Sequence, residues 1–287
     1  MQTDSTWAPP TRTLTRGTRT VAFTEFGDPA GSPVIAAHGS PGSRFQLLPL
    51  HASLFAAGLR LIALDRPGVG STSPALTSGG FGGDCTDDAL AVLDELGITT
   101  AVALGFSGGA GYALELARSA PARISRVVLA CGAVPGAPRQ ATRGRIRIVA
   151  ILYAIARIAP GLATAMLDGR GPFRTTRAAN VDAWPAADRA VMADADVQAV
   201  LSHDREASAA QGARPAVEDL RLTRTRFPLA DVRQPVTLLH GTVDGNVPID
   251  VARWAAAKLT DATLTEFPDL GHYFAVSRPD AVVAALR

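Results

Sequence analysis

Residues 101–118 read AVALGFSGGAGYALELAR. An apolar run at 101–104 leads into the turn Gly-Phe-Ser-Gly-Gly at 105–109, and helical spacing begins at Ala110. A G-x-S-x-G turn between a strand and a helix exposes its serine hydroxyl at the tip of a sheet, and the start of the helix adds partial positive charge beside it. The segment therefore predicts Ser107 as a nucleophile. A glycine-rich turn with an incidental serine is the alternative interpretation.

The alternation of strands and helices extends on both sides of this turn. Residues 11–26 alternate polar and β-forming types around a central Arg-Gly pair, which predicts a hairpin. Short apolar runs separated by helix-length segments lie at 34–37, 61–64, 101–104, 127–130, 236–239 and 263–267. Runs that are apolar on both faces indicate a parallel sheet covered by helices on both sides. The predicted fold class is α/β, with a mostly parallel twisted sheet flanked by helices.

Between residues 133 and 230 this alternation disappears. The interval contains long helical patterns, several prolines and no convincing strand run. We therefore predict a helical cap at 133–232, inserted between the sixth and seventh strands. The core domain is then expected to comprise residues 1–132 and 233–287.

Two further motifs follow the early predicted strands. They are His38-Gly39-Ser40-Pro41-Gly42 and Asp65-Arg66-Pro67-Gly68-Val69-Gly70-Ser71. Together with the turn around Ser107, they make the chain resemble the α/β-hydrolase fold family, in its serine-nucleophile branch with a helical cap. The resemblance covers residues 20–132 and 233–287, whereas the cap matches only in position and helical character. It implies a hydrolase that needs neither a cofactor nor a metal.

A serine hydroxyl is a weak nucleophile near neutral pH unless a base takes its proton, so a histidine is required. His51 and His203 lie in helical segments without a glycine turn. His38 and His240 follow strands, at places where the family uses histidines to support loops. His272 follows Gly271 just after the last predicted strand, where the family carries its catalytic histidine. We therefore expect His272 to be the general base.

The acid that orients His272 is expected in the loop after the preceding strand, where Asp244 lies. Asp269 is the nearest rival, but a residue so close in the same loop would rarely reach the far nitrogen of the imidazole. Asp65 belongs to a turn motif that the family uses structurally. With Asp244, the chain order is Ser, Asp, His, as expected for this fold.

Acyl transfer also needs hydrogen-bond donors for a negatively charged tetrahedral intermediate. The family resemblance implies the backbone N–H groups of Gly108 and Ser40. Pro41 has no N–H, which helps to single out Ser40. The alternative is that residues 38–42 form only a tight turn.

The predicted cap should wall the substrate pocket, because it covers the strand ends. Ile148, Leu152 and Ile155 are four and three residues apart and so share a helical face, and we predict that this face contacts the substrate. The alternative is that it packs into the cap's own core.

Charge is distributed unevenly along the cap. Its first part carries Asp168 and mainly arginines, and its later part mainly acids. These residues are Arg139, Arg143, Arg145, Arg147, Arg157, Arg170, Arg174 and Arg177, then Asp182, Asp188, Asp194, Asp196, Asp204, Glu206, Glu218 and Asp219. We expect solvated faces or faces that bridge one another. The alternative is that the arginines bind an anionic substrate or carrier.

Composition and net charge limit the kinds of partner and location that we expect for this protein. The 287-residue chain has a formal charge of +2, too small to indicate a nucleic-acid partner. Its first residues show no targeting signal, so a cytoplasmic location is expected, with Cys85 and Cys131 as free thiols. The apolar stretch at 148–158 is too short for a membrane span. No sequence feature indicates an oligomeric state.

The sequence thus predicts a serine hydrolase acting on a small-molecule acyl substrate: a carboxylic ester, a thioester, a lactone or a carbon–carbon bond next to a carbonyl. One alternative keeps the same residues in a lyase or a cofactor-free oxygenase. Another is a ligand-binding protein with a degenerate site, although a pure binder has no need for Ser107, Asp244 and His272 together.

Overall fold

The protein, a computed structural model, is described for residues 9–76, 80–173 and 181–287. These residues include an eight-stranded sheet in the order β1-β2-β4-β3-β5-β6-β7-β8. Its strands are β1 (Arg12–Arg16), β2 (Arg19–Gly27), β3 (Ser32–Ala37), β4 (Leu59–Leu64), β5 (Ala101–Phe106), β6 (Ile124–Ala130), β7 (Val236–Gly241) and β8 (Ala262–Phe267). The hairpin β1–β2 and the pair β2–β4 are antiparallel, and every other pair is parallel. The predicted fold class is confirmed.

Helices cover both faces of this sheet. The α-helices of the described residues are α1 (His51–Ala56), α2 (Asp84–Glu95), α3 (Ala110–Ser119), α4 (Arg147–Ile158), α5 (Pro160–Leu167), α6 (Ala186–Ala193), α7 (Ala195–Ala209), α8 (Arg214–Leu222), α9 (Ile249–Ala256), α10 (Phe274–Ser277) and α11 (Pro279–Leu286). Residues of α2, α3 and α9 share one buried cluster with Ile35 and Ile62. Residues of α1, α10 and α11 share a second cluster with Val34 and Leu61. Successive strand residues thus face opposite layers, as the period of two requires.

Helices α4 to α8 lie between β6 and β7 in the chain. We call residues 133–232 the insertion. Ala156, Ala163, Val217 and Leu220 of α4, α5 and α8 form a small buried cluster of their own. Arg174 and Arg177, two of the arginines noted above, lie outside the described residues. Within the described ranges, no helix is both long and apolar enough to cross a membrane.

The parallel strands bring the loops that follow them to one edge of the sheet. β5 ends at Phe106, β7 at Gly241 and β8 at Phe267. Ligands of open α/β sheets bind outside these carboxyl ends, because loops from several strands converge there. Ser107, Asp244 and His272 all follow such ends.

Candidate active site

Ser107 lies in the turn between β5 and α3 with a backbone φ of 49°. This left-handed conformation is rare for a residue with a side chain. The strand and the helix cross closely here, since a Cβ on Gly105 would lie 2.8 Å from Cα of Ala110. The carbonyl of Ser107 accepts a hydrogen bond from Ala133 N at 2.8 Å. The turn therefore holds Ser107 in place while 9% of the residue remains exposed.

His272 and Asp244 extend a hydrogen-bonded line from Ser107. Nε2 of His272 lies 3.0 Å from Oγ of Ser107, and Nδ1 lies 2.7 Å from Oδ2 of Asp244. An ionised carboxylate only accepts hydrogen bonds, so the proton of neutral His272 is on Nδ1. Nε2 then offers a lone pair to the serine hydroxyl. The structure thus brings together the three residues singled out as nucleophile, base and acid.

The loop that carries Asp244 also holds its carboxylate. Oδ1 accepts hydrogen bonds from the N–H groups of Asn246 and Val247, both at 2.8 Å. Nε2 of His240 lies 3.3 Å from Oδ2 of Asp244 and 2.7 Å from the Val247 carbonyl. Burial by itself would raise the pKa of Asp244, but His272 and His240 hold that pKa well below its usual value. Asp244 is therefore ionised wherever an imidazole titrates.

The pKa of His272 is set by opposing effects. Burial by itself would lower this pKa, whereas the charge and hydrogen bond of Asp244, with a smaller contribution from Asp188, raise it above its usual value. A raised pKa makes neutral His272 a stronger base toward Ser107. It also means that the protonated form of His272, which has no lone pair on Nε2, persists to a higher pH than for an ordinary histidine.

The amides of Ser40 and Gly108 are neighbours beside Ser107. A Cβ on Gly108 would lie 3.2 Å from N of Ser40, and a Cβ on Gly39 would lie 3.0 Å from Cβ of Ser107. The loop that carries Ser40 thus runs directly against the turn that carries the serine. This is the arrangement in which two N–H groups from different segments can face one oxygen.

The side chain of Ser40 belongs to a buried polar network that sequence reasoning missed. Nη2 of Arg66 donates to Oγ of Ser40 at 2.7 Å, and this hydroxyl in turn donates to Asp219. Nη1 of Arg66 lies 2.8 Å from Oδ2 of Asp219, whose Oδ1 accepts from the hydroxyl of Tyr112 at 2.5 Å. Ser40 and Arg66 belong to the motifs at 38–42 and 65–71, but no sequence pattern joined them to Asp219 or Tyr112. Asp219 reaches it from helix α8 of the insertion.

The other four histidines have neighbours of their own. Nε2 of His38 lies 3.2 Å from N of Arg66, and burial holds the pKa of His38 well below its usual value. Nδ1 of His51 accepts from a backbone N–H of β2 at 3.0 Å. The ring of His203 lies 6.0 Å from that of Phe45, and His240 supports the loop of Asp244. None of the four is hydrogen-bonded to Ser107 in the described structure.

Neither rival acid reaches His272. Asp269 is exposed, with a φ of 59°, and its N–H donates to the hydroxyl of Thr242 at 3.0 Å. Asp65 is buried, where its carboxylate pairs with the guanidinium of Arg44 and accepts from the N–H of Arg44 at 2.9 Å. This agrees with the structural part expected of the motif at 65–71.

Three acids of the insertion are buried against loops of the remaining chain. Asp188 accepts from N of Tyr273 at 2.8 Å, and Asp204 accepts from N and Oγ of Ser43 at 2.7 and 2.9 Å. Asp219 contacts Ser40 as described above. The expectation of solvated or mutually bridging faces is therefore wrong for these three, because each carboxylate is buried and accepts hydrogen bonds from residues outside the insertion.

Ile148, Leu152 and Ile155, the predicted pocket residues, differ in environment. Leu152 and Ile155 pack against the insertion's own buried cluster. Ile148 is 42% exposed. The assignment of these three residues to the substrate pocket stays a prediction.

Described residues of the insertion help to line two large cavities. One of about 940 Å³ is lined by Arg66, Tyr112 and Asp219, together with residues of α8. The other, of about 810 Å³, is lined by Gly42, Arg66 and residues of α5 and α7. Both border the segments that hold Ser40. Ser107 and His272 are not among the residues that line either cavity.

Cys131 ends β6 beside the same residues. One possible metal-ligand atom from each of Cys131, Asp244 and His272 lies within 4.8 Å of the other two. Thiolate, carboxylate and imidazole are ligands that suit zinc. However, His272 and Asp244 already bond to each other, and burial raises the pKa of the Cys131 thiol well above its usual value. This cluster therefore coincides with the candidate site and is not a separate one.

Comparison with known proteins identifies the family to which this chain belongs. A sequence profile described as "Alpha/beta hydrolase family" matches residues 34–285. Over 230 residues the chain is 34% identical to a pimeloyl-(acyl-carrier protein) methyl ester esterase from Aromatoleum aromaticum, an alignment that covers 78% of this chain and 84% of the relative.

Solved structures agree on the fold. A bromoperoxidase from Bacillus anthracis superposes with a TM-score of 0.71 at 18% identity, covering 97% of this chain and 98% of that one. An esterase from Exiguobacterium antarcticum superposes with a TM-score of 0.65 at 17% identity, covering 93% and 94%. At such identities the likeness shows the shared architecture alone.

Proposed function

The chain belongs to the alpha/beta hydrolase family and is a hydrolase, and from that premise we propose that it cleaves a carboxylic ester or a related acyl bond through an acyl-enzyme on Ser107. One observation carries the proposal. Ser107, His272 and Asp244 form a continuous hydrogen-bonded line, with separations of 3.0 and 2.7 Å. A serine paired with a base that a carboxylate orients is the signature of an activated nucleophile.

In the proposed acylation step, Nε2 of His272 takes the hydroxyl proton as Oγ of Ser107 attacks the carbonyl carbon. His272 becomes an imidazolium, and the ionised Asp244 stabilises its charge through Nδ1–H. The negative oxygen of the tetrahedral intermediate accepts hydrogen bonds from the N–H groups of Ser40 and Gly108. The intermediate collapses when His272 returns the proton to the departing alcohol.

Deacylation repeats these roles with water in place of the serine. His272 takes a proton from water as the water oxygen attacks the acyl carbon bound to Ser107. His272 then returns the proton to Oγ of Ser107 as the carboxylic acid is released. No redox step occurs, so the chain's own residues suffice for the whole cycle.

An ester is the first bond to test. The relative from Aromatoleum aromaticum is named for cleaving a methyl ester, and the solved neighbour from Exiguobacterium antarcticum is named an esterase. Thioesters and lactones react through the same tetrahedral intermediate and remain within the proposed class.

We further propose that residues 133–232 act as a cap on a core made of residues 1–132 and 233–287. Asp188, Asp204 and Asp219 support this, because each reaches a loop of the core. The two cavities also support it, since both are lined by the insertion and by core residues such as Arg66. Specificity is then expected to depend on the insertion.

A fluorophosphonate probe followed by peptide mass mapping tests the nucleophile. We expect the probe to modify Ser107. We also expect Ser107→Ala to lower kcat for a short activated ester by about 10⁴-fold or more with the fold intact, because the residual rate comes only from binding and the oxyanion donors.

A Ser107→Ala variant that keeps a tenth of the activity would remove Ser107 from the mechanism. A labelled Ser107 without cleavage of any ester, thioester or lactone would instead favour the lyase or oxygenase alternative. Circular dichroism and the melting temperature of the variant verify that the fold is retained.

A further inference from the structure

Asp188 is a buried carboxylate outside the line of Ser107, His272 and Asp244. It belongs to α6 of the insertion and is 1% exposed. Its Oδ1 accepts a hydrogen bond from N of Tyr273 at 2.8 Å. The other oxygen, Oδ2, is buried without a hydrogen-bond partner. The carboxylate lies over Gly271, where an added Cβ would collide with it. Asp188 thus touches the residues on both sides of His272.

Among the described residues, no positively charged side chain contacts Asp188 directly. In the described part of the chain, no arginine, lysine or histidine side chain is hydrogen-bonded or ion-paired to it. The adjacent Arg189 is directed elsewhere, since its Nη1 donates to the carbonyl of Trp184 at 2.6 Å. An uncompensated buried carboxylate is costly, and burial accordingly raises the pKa of Asp188. This cost is offset when a positive charge forms nearby.

Aromatic contacts also connect the start of α6 to residues 271–273, which we call the histidine loop. The ring of Trp184, just before α6, stacks on that of Tyr273 with centroids 5.7 Å apart. The ring of Tyr273 meets that of His272 edge to face at 5.8 Å. The insertion thus contacts the histidine loop through the ring of Trp184 and the carboxylate of Asp188.

We propose that Asp188 is a second carboxylate for His272, a positioning residue supplied by the insertion that fixes residues 271–273 and favours the imidazolium form of His272. The inference rests on the proposed function, because it needs His272 to gain a proton during the reaction. Asp244 acts through a direct hydrogen bond, whereas Asp188 acts through the backbone and through space. Its charge stabilises the transition state more than the resting enzyme, since only the former has a charged His272.

Other titratable groups also face His272. They are Asp244 from the loop after β7, Ser107 from the turn after β5, Cys131 from the end of β6, Tyr273 from its own loop, and His240 one contact away on Asp244. Asp244 and Asp188 are the anions among them. Removing Asp188 therefore leaves a single anion to hold the pKa of His272 up.

Asp188→Asn is the matched test, because it keeps the shape and an acceptor oxygen for N of Tyr273 but removes the charge. The activity is measured with a short activated ester between pH 5 and 9. At the optimum we expect kcat/KM to fall about 10-fold, which is a smaller decrease than the loss of an oxyanion donor causes. We expect the acid-side midpoint of the pH profile to move to lower pH by about half a unit or more, because the imidazolium loses an anion. Asp188→Ser should shift the midpoint in the same direction.

Asp168→Asn is the control variant. Asp168 is also an acid of the insertion that accepts a backbone N–H, that of Ala213 at 2.7 Å, but it contacts no residue of the histidine loop. Its pH midpoint should equal that of the wild type. Melting temperatures are measured for all variants.

An unchanged midpoint in folded Asp188→Asn and Asp188→Ser would overturn the inference, and so would a loss of kcat/KM that only follows the melting temperature. A failure of the proposed function looks different. In that case Ser107→Ala stays active, whereas a failure of this inference alone leaves Ser107→Ala inactive and the Asp188 variants with the wild-type pH profile.

Discussion

At the scale of single residues, each member of the candidate triad is held by a different device. Ser107 has its left-handed conformation in the tight turn where β5 and α3 approach closely at Gly105. Asp244 is held by amides of its own loop, and the ring of His272 by its hydrogen bond to Asp244. A substitution that removes the charge of Asp244 but keeps its shape should therefore alter the chemistry while leaving the loop in place.

We expect Asp244→Asn to lose most of its activity, on the order of 10⁴-fold in kcat, with KM little changed. The amide can hold the imidazole in the wrong tautomer and cannot stabilise the imidazolium. Asp269→Asn, in an exposed turn near His272, is the control and should stay close to the wild type. Steady-state kinetics of both variants decide the matter. An inactive Asp269→Asn beside an active Asp244→Asn would show that the acid is misassigned.

The residues of this line were predictable because each follows a strand in a short local pattern. Ser107 belongs to a G-x-S-x-G turn, and His272 follows a glycine after the last strand. Asp188 and Asp219 were not predictable as partners of the site. Each is an aspartate in a helix whose contact is more than 80 residues away in sequence, and no local pattern distinguishes a solvated aspartate from one buried against a distant loop.

At the scale of elements, helix α4 divides its apolar residues between two environments. Leu152 and Ile155 pack against α5 and α8 in the insertion's own cluster, whereas Ile148, Ile151 and Ile158 are exposed. Helical periodicity correctly puts Leu152 and Ile155 on one face, but it does not say what that face meets. That depends on how α4 packs against α5 and α8.

Leu152→Ala should lower the free energy of unfolding by about 2 kcal/mol, the low end for a leucine in a core, because the side chain is only partly buried. Chemical denaturation measures this change. An ester series of increasing acyl length, assayed as kcat/KM, tests the pocket assignment at the same time. A changed chain-length preference would place Leu152 in the pocket, whereas an unchanged preference with lowered stability would make this face structural.

At the scale of the whole molecule, the insertion is joined to the rest by buried carboxylates. Asp204 accepts two hydrogen bonds from Ser43. Burial raises the pKa of Asp204 to about 6 from an ordinary value of 3.8. The folded protein therefore binds this proton more tightly than the unfolded chain does. The stability that Asp204 contributes is full below about pH 4 and is lost as the pH rises to about 6.

Asp204→Asn should remove this dependence, because its amide oxygen can accept both hydrogen bonds without carrying a buried charge. Denaturant unfolding of the variant and the wild type at pH 4, 5, 6 and 7 measures the effect. The free energy of unfolding of the variant should increase relative to that of the wild type as the pH rises, by on the order of 2 to 3 kcal/mol at pH 7. A difference between the two proteins that is constant with pH would contradict the burial of a charged Asp204.

The carboxylates of Asp188, Asp204 and Asp219, which connect the insertion to the rest of the chain, also matter for protein engineering. When such an insertion is exchanged between related enzymes, it is treated as a unit that carries substrate specificity and nothing else. Here the transferred insertion would take Asp188, Asp204 and Asp219 with it, and Tyr273, Ser43 and Ser40 would stay behind in this chain without their acceptors. A chimera made from this chain must therefore transfer each aspartate together with the loop that receives it.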